Sequence, residues 1–251
     1  MPEAAVEQRA AFSGMPVYQQ SDWLDRFPTL FQGITGRAPG LDFGSADSVS
    51  RSDDRAYSSS TGKSGWDLLR QHSGILRVIR CRQVHGAAVA RYEGNQAGGA
   101  VVLGDADALV TNQRGALLAV TVADCVPVYL VDPAHGILGL AHAGWRGAAA
   151  GVAPETVADM RSLGADLTML YAHLGPAICG DCYEVGPEVS AAFGERPMAR
   201  RAFDLRARIA TQLESEGLRA RNITTSRLCT RCGDRAFYSY RGGDRGRRMC
   251  A

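Results

Sequence analysis

Residues 126–141 have the sequence VPVYLVDPAHGILGLA, which is the clearest local signal in the chain. Two apolar runs, Val126–Asp132 and Ile137–Ala141, have the composition of buried β-strands. The short connection Pro133–Gly136 lies between them, and so tight a loop joins antiparallel neighbours. The stretch therefore predicts a β-hairpin at the centre of the fold.

Strand and helix patterns alternate on both sides of this hairpin. Further strands are predicted at Ile75–Cys81, Ala108–Thr111, Leu117–Val122, Leu167–Tyr171 and Phe237–Tyr240. Helices are predicted at Ala148–Leu163 and Phe203–Glu216, each followed by the glycine that favours a helix end, Gly164 or Gly217. Strand clusters separated by helices indicate a mixed α/β (α+β) fold, a single domain over residues 1–251 with β-sheet layers flanked by helices.

The composition is that of an ordinary globular protein, with 45% hydrophobic and 22% charged residues. The formal net charge is only +2, which removes the electrostatic argument for a nucleic acid or an acidic membrane as partner. A basic cluster near the C-terminus contains Arg241, Arg245, Arg247 and Arg248. Composition favours a solvated tail over an anion-binding strand for this cluster.

Nothing in the sequence indicates a membrane segment or a secretory signal. No run of about eighteen apolar residues is present, and Met1–Ala11 lacks a continuous apolar core. Seven cysteines in such a chain fit a reducing compartment, so we expect a cytoplasmic protein whose thiols bind metal or take part in catalysis. Residues 38–65, rich in Ser, Gly and Asp, predict a mobile loop beside a site, and a domain linker is the competing interpretation.

Three candidate metal ligands lie at the ends of strand-like runs in separate parts of the chain. They are His85, Cys125 and His142, and each is followed within two residues by Gly or Pro. Strand ends from separate segments can converge on one edge of a sheet. Two imidazoles and a thiolate are one ligand short of a filled tetrahedron, which is typical of a catalytic zinc site rather than a structural one.

Each of these residues has an ordinary interpretation when taken alone. A histidine near an apolar strand is more often a hydrogen-bonded structural residue, and a buried cysteine is often inert packing. Their matching contexts favour a joint site. The donor set suits Zn²⁺ or copper, and zinc would lower the pKa of a bound water to about 7. Asp124, adjacent to the thiolate, could orient a ligand or move a proton, or could be a turn residue that accepts backbone N–H groups.

The segment Gly144–Gly147, with the sequence GWRG, lies at a predicted junction between a strand and a helix. A helix N-terminus offers free N–H groups, and Arg146 adds a guanidinium fork, so the segment predicts an anion or phosphate site beside His142. Trp145 offers a flat face on which a base could stack. The alternative is structural: a tryptophan packed under the helix and an arginine paired with a carboxylate.

Two Cys-x-x-Cys pairs are present, Cys179/Cys182 and Cys229/Cys232. Such a double pair is typical of a structural zinc site, so a second metal is one hypothesis for these residues. Their separation requires the fold to bring two distant loops together. Reduced thiols at a packed loop junction are the default alternative. A redox pair is disfavoured because neither motif starts a helix after a strand.

At these residues the chain resembles the laccase-domain family, long described as multicopper polyphenol oxidases and later recognised as purine nucleoside phosphorylases. The resemblance covers nearly the whole chain. It is carried by Ser21–Leu24, Arg82–His85, Asp105–Thr111, Thr121–Pro127, Ala141–Gly147, Gly175–Ile178, Tyr183–Gly186, Cys229–Thr230 and Phe237–Arg241.

The resemblance implies that His85, Cys125 and His142 are metal ligands in a laccase-type α/β domain. It implies a transferase and hydrolase that cleaves adenosine, inosine and S-methyl-5′-thioadenosine with phosphate and also deaminates adenosine. The catalytic assignment comprises Cys125, Asp124 and Arg146, and the substrate site comprises Gln83, Trp145, Arg146, Tyr240 and Arg241. We expect a purine nucleoside and phosphate as small-molecule partners. The sequence indicates no particular oligomeric state.

One region departs from the family pattern. Members usually carry a Leu-Asn-Leu-Gly-like segment and then an Asn-Arg pair that opens a helix. Here the first is Leu41-Asp42-Phe43-Gly44, and the Asn-Arg pair is missing near Trp66-Asp67. If that arginine contacts substrate phosphate in the family, this chain must supply a substitute or prefer another substrate.

Three other functions compete with the phosphorylase. A laccase-like copper oxidase shares two His and one Cys with blue-copper centres, but a multicopper enzyme needs many more histidines than the five in this chain. Some bacterial members of the family resemble peptidoglycan editing hydrolases, which remove misincorporated serine from a cell-wall precursor. A non-enzymatic metal-binding protein predicts closed ligands and no deep polar pocket.

Overall fold

The computed structural model describes residues 4–5, 7–12, 14–44, 65–94, 99–197 and 199–251. The mobile loop predicted at 38–65 lies mostly outside these residues. The α-helices in the described ranges are α1 (Ser21–Arg26), α2 (Gly65–Ser73), α3 (Trp145–Ala149), α4 (Val152–Ser162), α5 (Pro187–Ala192) and α6 (Leu205–Ser215). None of these helices is long and apolar enough to cross a membrane.

The strands are short apart from the central hairpin. They are β1 (Ala4–Ala5), β2 (Glu7–Phe12), β3 (Met15–Gln20), β4 (Ile34–Thr35), β5 (Arg77–Arg82), β6 (Val89–Tyr92), β7 (Ala100–Asp105), β8 (Ala108–Thr111), β9 (Ala116–Leu118), β10 (Thr121–Val122), β11 (Val126–Asp132), β12 (Ile137–Ala143), β13 (Tyr171–Leu174), β14 (Glu184–Val185), β15 (Arg201–Ala202), β16 (Ile223–Ser226) and β17 (Met249–Cys250).

A seven-stranded mixed sheet dominates the fold, with the strand order β1-β16-β13-β11-β12-β8-β6. β11 and β12 pair in antiparallel register from Val126 opposite Ala143 to Asp132 opposite Ile137, so the predicted hairpin is confirmed. Two three-stranded sheets, β2-β3-β4 and β7-β5-β9, and two two-stranded sheets complete the described part of the chain. The predicted mixed α/β class is therefore confirmed.

Strand β11 is buried on both faces, which explains its continuous apolar sequence. Val126, Val128 and Leu130 join a core cluster that includes residues of α4 and α6. Tyr129 and Val131 point the other way, into a cluster that includes residues of the smaller sheets. Successive side chains of a strand alternate between faces, so this one strand contributes to both cores.

The single helix predicted at Ala148–Leu163 is wrong. The structure divides it into α3 and α4 at Gly151, whose φ of 87° is left-handed. Pro154 lies in the first turn of α4, where its missing N–H is not needed, whereas in one continuous helix its ring would clash with the carbonyl four residues earlier. The predicted end of the helix holds, since Gly164 follows α4 with φ of 98°.

The second predicted helix, Phe203–Glu216, exists but starts later. Asp204 is its N-cap and accepts a hydrogen bond from the Ala207 N–H, so α6 begins at Leu205. Gly217 follows the helix with φ of 99°, as its position in the sequence predicts.

The strand predicted at Ala108–Thr111 is confirmed as β8 of the large sheet. Other predicted strands are shifted, or are lost where a side chain accepts a hydrogen bond from the backbone. The strand predicted at Leu167–Tyr171 is wrong for most of its length, because Asp166 organises a turn there and its carboxylate accepts from the Thr168 N–H at 2.8 Å. β13 begins only at the last of these residues. The strand predicted at Ile75–Cys81 is shifted to Arg77–Arg82.

Two other predicted strands are also corrected. Leu117–Val122 is divided between β9 and β10, which belong to different sheets. Phe237–Tyr240 forms no strand, because its amides bond to side chains: the Tyr238 N–H donates to Met249 Sδ and the Ser239 N–H donates to the Asp244 carboxylate.

Candidate metal centre

The three predicted ligands meet where the seven-stranded sheet adjoins the sheet β7-β5-β9. Cys125 immediately precedes β11, and His142 lies opposite Pro127 in the partner strand β12. His85 follows β5, so it comes from the second sheet and not, as the sequence suggested, from one shared sheet edge. The ligand atoms of His85, Cys125 and His142 all lie within 4.8 Å of one another.

A buried carboxylate, Asp107, supports this cluster. Its side chain is inaccessible to solvent, and one of its oxygens lies 2.9 Å from Nδ1 of His142. The carboxylate also accepts the backbone N–H groups of Val84, His85 and Gly86 at 2.7–3.1 Å. These hydrogen bonds lower the pKa of Asp107 against the effect of burial, which raises it. Asp107 therefore fixes both the imidazole of His142 and the loop that carries His85.

One ligand of the cluster and the residue before another lie in left-handed backbone conformations. His85 has φ of 60° and Asp124 has φ of 82°, and the described residues include one other non-glycine residue of this kind. Such conformations persist only where the surroundings impose them, and they concentrate at functional sites. The backbone strain therefore points to the same place as the ligand geometry.

Glycines allow the segments to approach closely here. A Cβ at Gly144 would lie 3.1 Å from Cys125 Sγ and 3.2 Å from His85 Cδ2. A Cβ at Gly147 would lie 2.6 Å from the carbonyl oxygen of Gly86. Gly147 has no room for a side chain, and one at Gly144 would require Cys125 or His85 to move by a few tenths of an ångström, which explains both glycines of the GWRG segment.

The electrostatics favour an ionised thiol. Burial raises the pKa of Cys125, but His142 and then His85 stabilise the thiolate, and the resulting pKa is about 6. Burial lowers the pKa of His142, but the Cys125 thiolate and the Asp107 carboxylate raise it to about 9. A thiolate and two imidazoles that converge in this way fit a borderline-soft divalent cation such as Zn²⁺ or Cu²⁺.

A cavity of about 410 Å³ opens beside the cluster. This volume lies in the range of small-molecule sites. The walls include all the residues predicted to bind substrate, together with neighbours from distant segments: Gln83, Thr121, Asp124, Trp145, Arg146, Ile178, Tyr183, Leu205, Tyr240, Arg241 and Arg248.

Three arginines give the cavity a positive wall. The guanidinium of Arg146 lies 4.3 Å from the centroid of the Trp145 ring, and none of the ion pairs between described residues includes it. Arg241 and Arg248 donate to backbone carbonyls rather than to carboxylates. Their charge is therefore available to an anion, and the interpretation of the basic cluster as a solvated tail does not hold for these two residues.

Two of the predicted site residues already have protein partners. The Gln83 amide donates to the Thr121 carbonyl at 2.9 Å and accepts the Thr121 N–H at 2.7 Å. The Asp124 carboxylate accepts from Thr230 Oγ1 at 2.6 Å and from the Arg241 N–H at 2.7 Å. Both side chains line the cavity, and their hydrogen bonds hold its walls in place.

Sequence reasoning assigned no role to Asp107, Tyr183 or Arg248. The signal for Asp107 is an acidic residue directly before the fully buried strand β8, where an unpaired charge would be costly. Burial, and then the nearby Cys125 thiolate, raises the pKa of Tyr183 to about 12. This phenol therefore stays protonated at neutral pH and faces the cavity as a donor.

The two Cys-x-x-Cys pairs are also brought together. The sulfurs of Cys179, Cys182, Cys229 and Cys232 all lie within 4.8 Å of one another, and all four cysteines are free. The two Cys-x-x-Cys loops, which are far apart in the sequence, are thus adjacent in the fold.

The fold and the site define a mixed α/β protein with a His₂Cys cluster at the mouth of a basic cavity. A model of the multi-copper polyphenol oxidoreductase laccase family matches residues 32–251, and the chain belongs to this family.

Two similar proteins carry the names of a phosphorylase and of a deaminase. The chain is 43% identical over 163 residues to a purine nucleoside phosphorylase of Streptomyces coelicolor, a match that covers 62% of this chain and 66% of that one. It is 41% identical over 147 residues to an adenosine deaminase from an unknown prokaryotic organism, covering 54% of this chain and 56% of that one. The matched segment thus spans just under two thirds of the first relative and a smaller share of the second.

Solved structures match over almost the whole chain. The crystal structure of YlmD from Geobacillus stearothermophilus is similar with a TM-score of 0.72 and 30% identity, covering 98% of this chain and 97% of that one. A Neisseria meningitidis protein of known structure is similar with a TM-score of 0.71 and 27% identity, covering 97% and 96%.

Proposed function

We propose that this protein is a metal-dependent purine nucleoside phosphorylase that acts on adenosine, inosine and S-methyl-5′-thioadenosine and also deaminates adenosine. The observation that carries the proposal is the adjacency of the His85/Cys125/His142 cluster to a positively charged cavity of nucleoside size. The names of the phosphorylase and deaminase relatives supply the two reactions.

The donor set would hold one metal ion, and we propose Zn²⁺. A zinc ion with three protein ligands supplies Lewis acidity at its open coordination position. His142 contributes through Nε2, because its Nδ1–H donates to Asp107. Cys125 contributes as the thiolate, which its histidine neighbours stabilise.

Phosphorolysis breaks the bond between ribose and purine and joins the ribose to a phosphate oxygen. Arg146 is the cation that holds the phosphate, because none of the ion pairs between described residues engages its guanidinium and it borders the ligand cluster. A planar guanidinium can bind two phosphate oxygens at once. Arg241 and Arg248 add positive charge to the same wall.

The purine occupies the aromatic part of the cavity. Trp145 and Tyr240 offer ring faces for stacking, and the protonated Tyr183 hydroxyl is a donor. Gln83 and Asp124 act as positioning residues, because their side chains are already bonded to Thr121, Thr230 and Arg241.

A multicopper oxidase mechanism has little support in the described residues. Two groups of potential metal ligands are found there, the His₂Cys cluster and the four cysteines. The remaining histidines, His72, His135 and His173, belong to neither group. His135 bonds to Asp132, and His173 bonds to Thr224. A second copper cluster built from histidines is therefore not present in this part of the chain.

The test is a direct assay of the purified protein with adenosine and with inosine, in the presence and absence of phosphate, with products separated by chromatography. We expect ribose 1-phosphate and free base only with phosphate, and inosine from adenosine without it. Cys125→Ala should lose both activities, and Cys125→Ser should be nearly as inactive, because an alcohol is a poor ligand near neutral pH.

Cys81→Ala is the matched control, since Cys81 is a free cysteine outside both ligand clusters. Normal phosphorolysis by Cys125→Ala would overturn the proposed role of the thiolate. Oxidation of a phenolic substrate with no nucleoside turnover would favour the oxidase. Hydrolysis of a serine-containing cell-wall precursor with no nucleoside turnover would favour the peptidoglycan editing activity.

A further inference from the structure

Four cysteines outside the catalytic cluster form a second compact group. Cys179 precedes a turn of 3-10 helix at Gly180–Cys182, and Cys182 is the last residue of that turn. Cys229 and Cys232 lie in the segment after β16. Cys179 Sγ lies 3.9 Å from Cys232 Sγ, too far for a disulfide. The edge of a tetrahedron with Zn–S bonds of about 2.3 Å is about 3.8 Å, so this spacing is that of two ligands of one ion.

The loops are built around the sulfur atoms. Cys229 Sγ accepts the backbone N–H groups of Cys179, Arg231 and Cys232 at 3.2–3.5 Å. N–H donors around a sulfur favour its thiolate form. The Arg231 guanidinium donates to the Cys182 carbonyl, which ties the second loop to the first.

We propose that Cys179, Cys182, Cys229 and Cys232 bind one Zn²⁺ ion as a structural tetrathiolate, distinct from the catalytic cluster. Each thiol that is protonated before binding releases its proton as the Zn–S bond forms, and no electron is transferred. Four sulfur ligands leave no open position, so this ion has no substrate role. The proposal does not depend on the proposed function.

This ion would hold one wall of the catalytic cavity. Cys179 follows Ile178 and Cys182 precedes Tyr183, and both of these neighbours line the cavity. On the other loop, Thr230 follows Cys229 and donates to the Asp124 carboxylate. The tetrathiolate therefore cross-links the two segments that support Asp124 and Tyr183.

The test measures zinc per chain in the full-length protein and in variants that each remove one cluster. Wild type purified in zinc should contain two ions per chain. Cys125→Ala should retain one, and Cys232→Ser should lose one and retain the other. Cys81→Ser removes a thiol that lies outside both clusters, so the zinc content should stay unchanged.

The ligand set is identified by substituting cobalt into the Cys125→Ala variant. Four thiolates around tetrahedral Co²⁺ should give strong sulfur-to-metal charge-transfer absorption and intense visible bands. Titration of the denatured, unreduced Cys125→Ala variant with a thiol reagent should find all six remaining cysteines free once zinc is chelated, the four of the cluster together with Cys81 and Cys250. This measurement uses the unmutated loops, so it stays decisive if Cys232→Ser fails to fold.

The outcomes separate this proposal from the proposed function. If Cys125→Ala contains no metal, or if two thiols are missing because a disulfide has formed, the tetrathiolate proposal is wrong. Iron with the absorption of an iron–sulfur cluster would overturn the assignment to zinc. If Cys125→Ala contains as much zinc as wild type, the catalytic metal is refuted while the structural site stands.

Discussion

Nδ1 of His142 lies 2.9 Å from the carboxylate of Asp107, and both side chains are almost completely buried. The pKa of Asp107 lies below its usual value, so the carboxylate is ionised and Nδ1–H is the donor. This hydrogen bond fixes the tautomer of His142 and directs Nε2 to the cluster. A residue that is not itself a ligand thus determines which nitrogen of His142 is offered to a metal.

The first prediction concerns Asp107→Asn, which keeps the shape but replaces one acceptor oxygen with an N–H₂ donor. Each carboxylate oxygen accepts two hydrogen bonds, so either orientation of the amide opposes two donors. We expect zinc affinity to fall by about 10–100-fold, as for other supporting carboxylates of metal sites. Competition with a chromophoric chelator measures this, and an unchanged affinity would show that Asp107 supports the fold alone.

The second prediction separates phosphate binding from metal chemistry. Arg146→Lys keeps the charge but loses the planar fork, so the KM for phosphate should rise by about ten-fold or more. Deamination needs no phosphate and should be less affected. Arg245→Lys, outside the cavity walls, is the control. Equal losses in both reactions would mean that Arg146 has a structural role and that the phosphate site must be sought elsewhere, at Arg37, Arg241 or the loop 38–65.

The third prediction tests the close approach at Gly144. The methyl group of Gly144→Ala would lie 3.1 Å from Cys125 Sγ, whereas that of Gly86→Ala would have 3.6 Å or more to its nearest neighbour. Both changes add one methyl group beside the same cluster. Gly144→Ala should weaken zinc binding by at least about ten-fold, while Gly86→Ala should leave it near wild type. Equal zinc affinities for the two variants would refute the steric argument.

The fourth prediction isolates the backbone strain at His85. His85→Ala and His85→Gly both remove the ligand, but only glycine adopts φ of 60° without strain. His85→Gly should therefore be more stable to urea than His85→Ala by about 1 kcal/mol in the absence of metal. Ala88→Gly, at an exposed position of ordinary φ, should change stability in the opposite direction. If His85→Gly is less stable than His85→Ala, the left-handed conformation is not imposed by the fold.

The fifth prediction concerns acid stability. Burial raises the pKa of Asp132, but hydrogen bonds from the Asp166 N–H, the His135 ring and the His135 N–H outweigh it and hold the pKa below 3.8. A carboxyl whose pKa is lowered by folding stabilises the protein above its unfolded pKa, and this contribution is lost as the pH falls through the folded value.

Asp132→Asn should therefore be less stable than wild type by about 1–3 kcal/mol at neutral pH, because a charged acceptor is lost. The difference between the two proteins should shrink at pH values below 3.8. Urea unfolding at both pH values measures it, with Glu214→Gln at an exposed position as control. A difference that does not change with pH would show that the ionisation of Asp132 does not contribute.

Local patterns predicted those elements whose partners are near in sequence. The β11–β12 hairpin follows from two apolar runs and a four-residue turn, and the helix ends at Gly164 and Gly217 follow from the conformational freedom of glycine. The break between α3 and α4 was also within reach, because Gly151 and Pro154 are both visible in the sequence.

Contacts between distant residues could not be predicted in this way. The role of Asp107 depends on the loop at His85 and on the strand at His142, which reach it from opposite directions along the chain. The loss of the predicted strand at Phe237–Tyr240 depends on acceptors that come from Asp244 and Met249. Side chains outside the predicted element redirect these backbone groups, and the periodicity within the element carries no record of such partners.

Strand β11 contributes to two of the three hydrophobic cores in the described part of the chain and begins at the residue after Cys125. Neither core can lose its packing without exposing a face of this strand, so the two cores should unfold together in one cooperative transition. A metal bound at Cys125 stabilises only the folded state, and its binding free energy adds to that of the whole cooperative unit. Removing the metal should therefore lower the melting temperature of the entire molecule, and not only loosen the loops around the cavity.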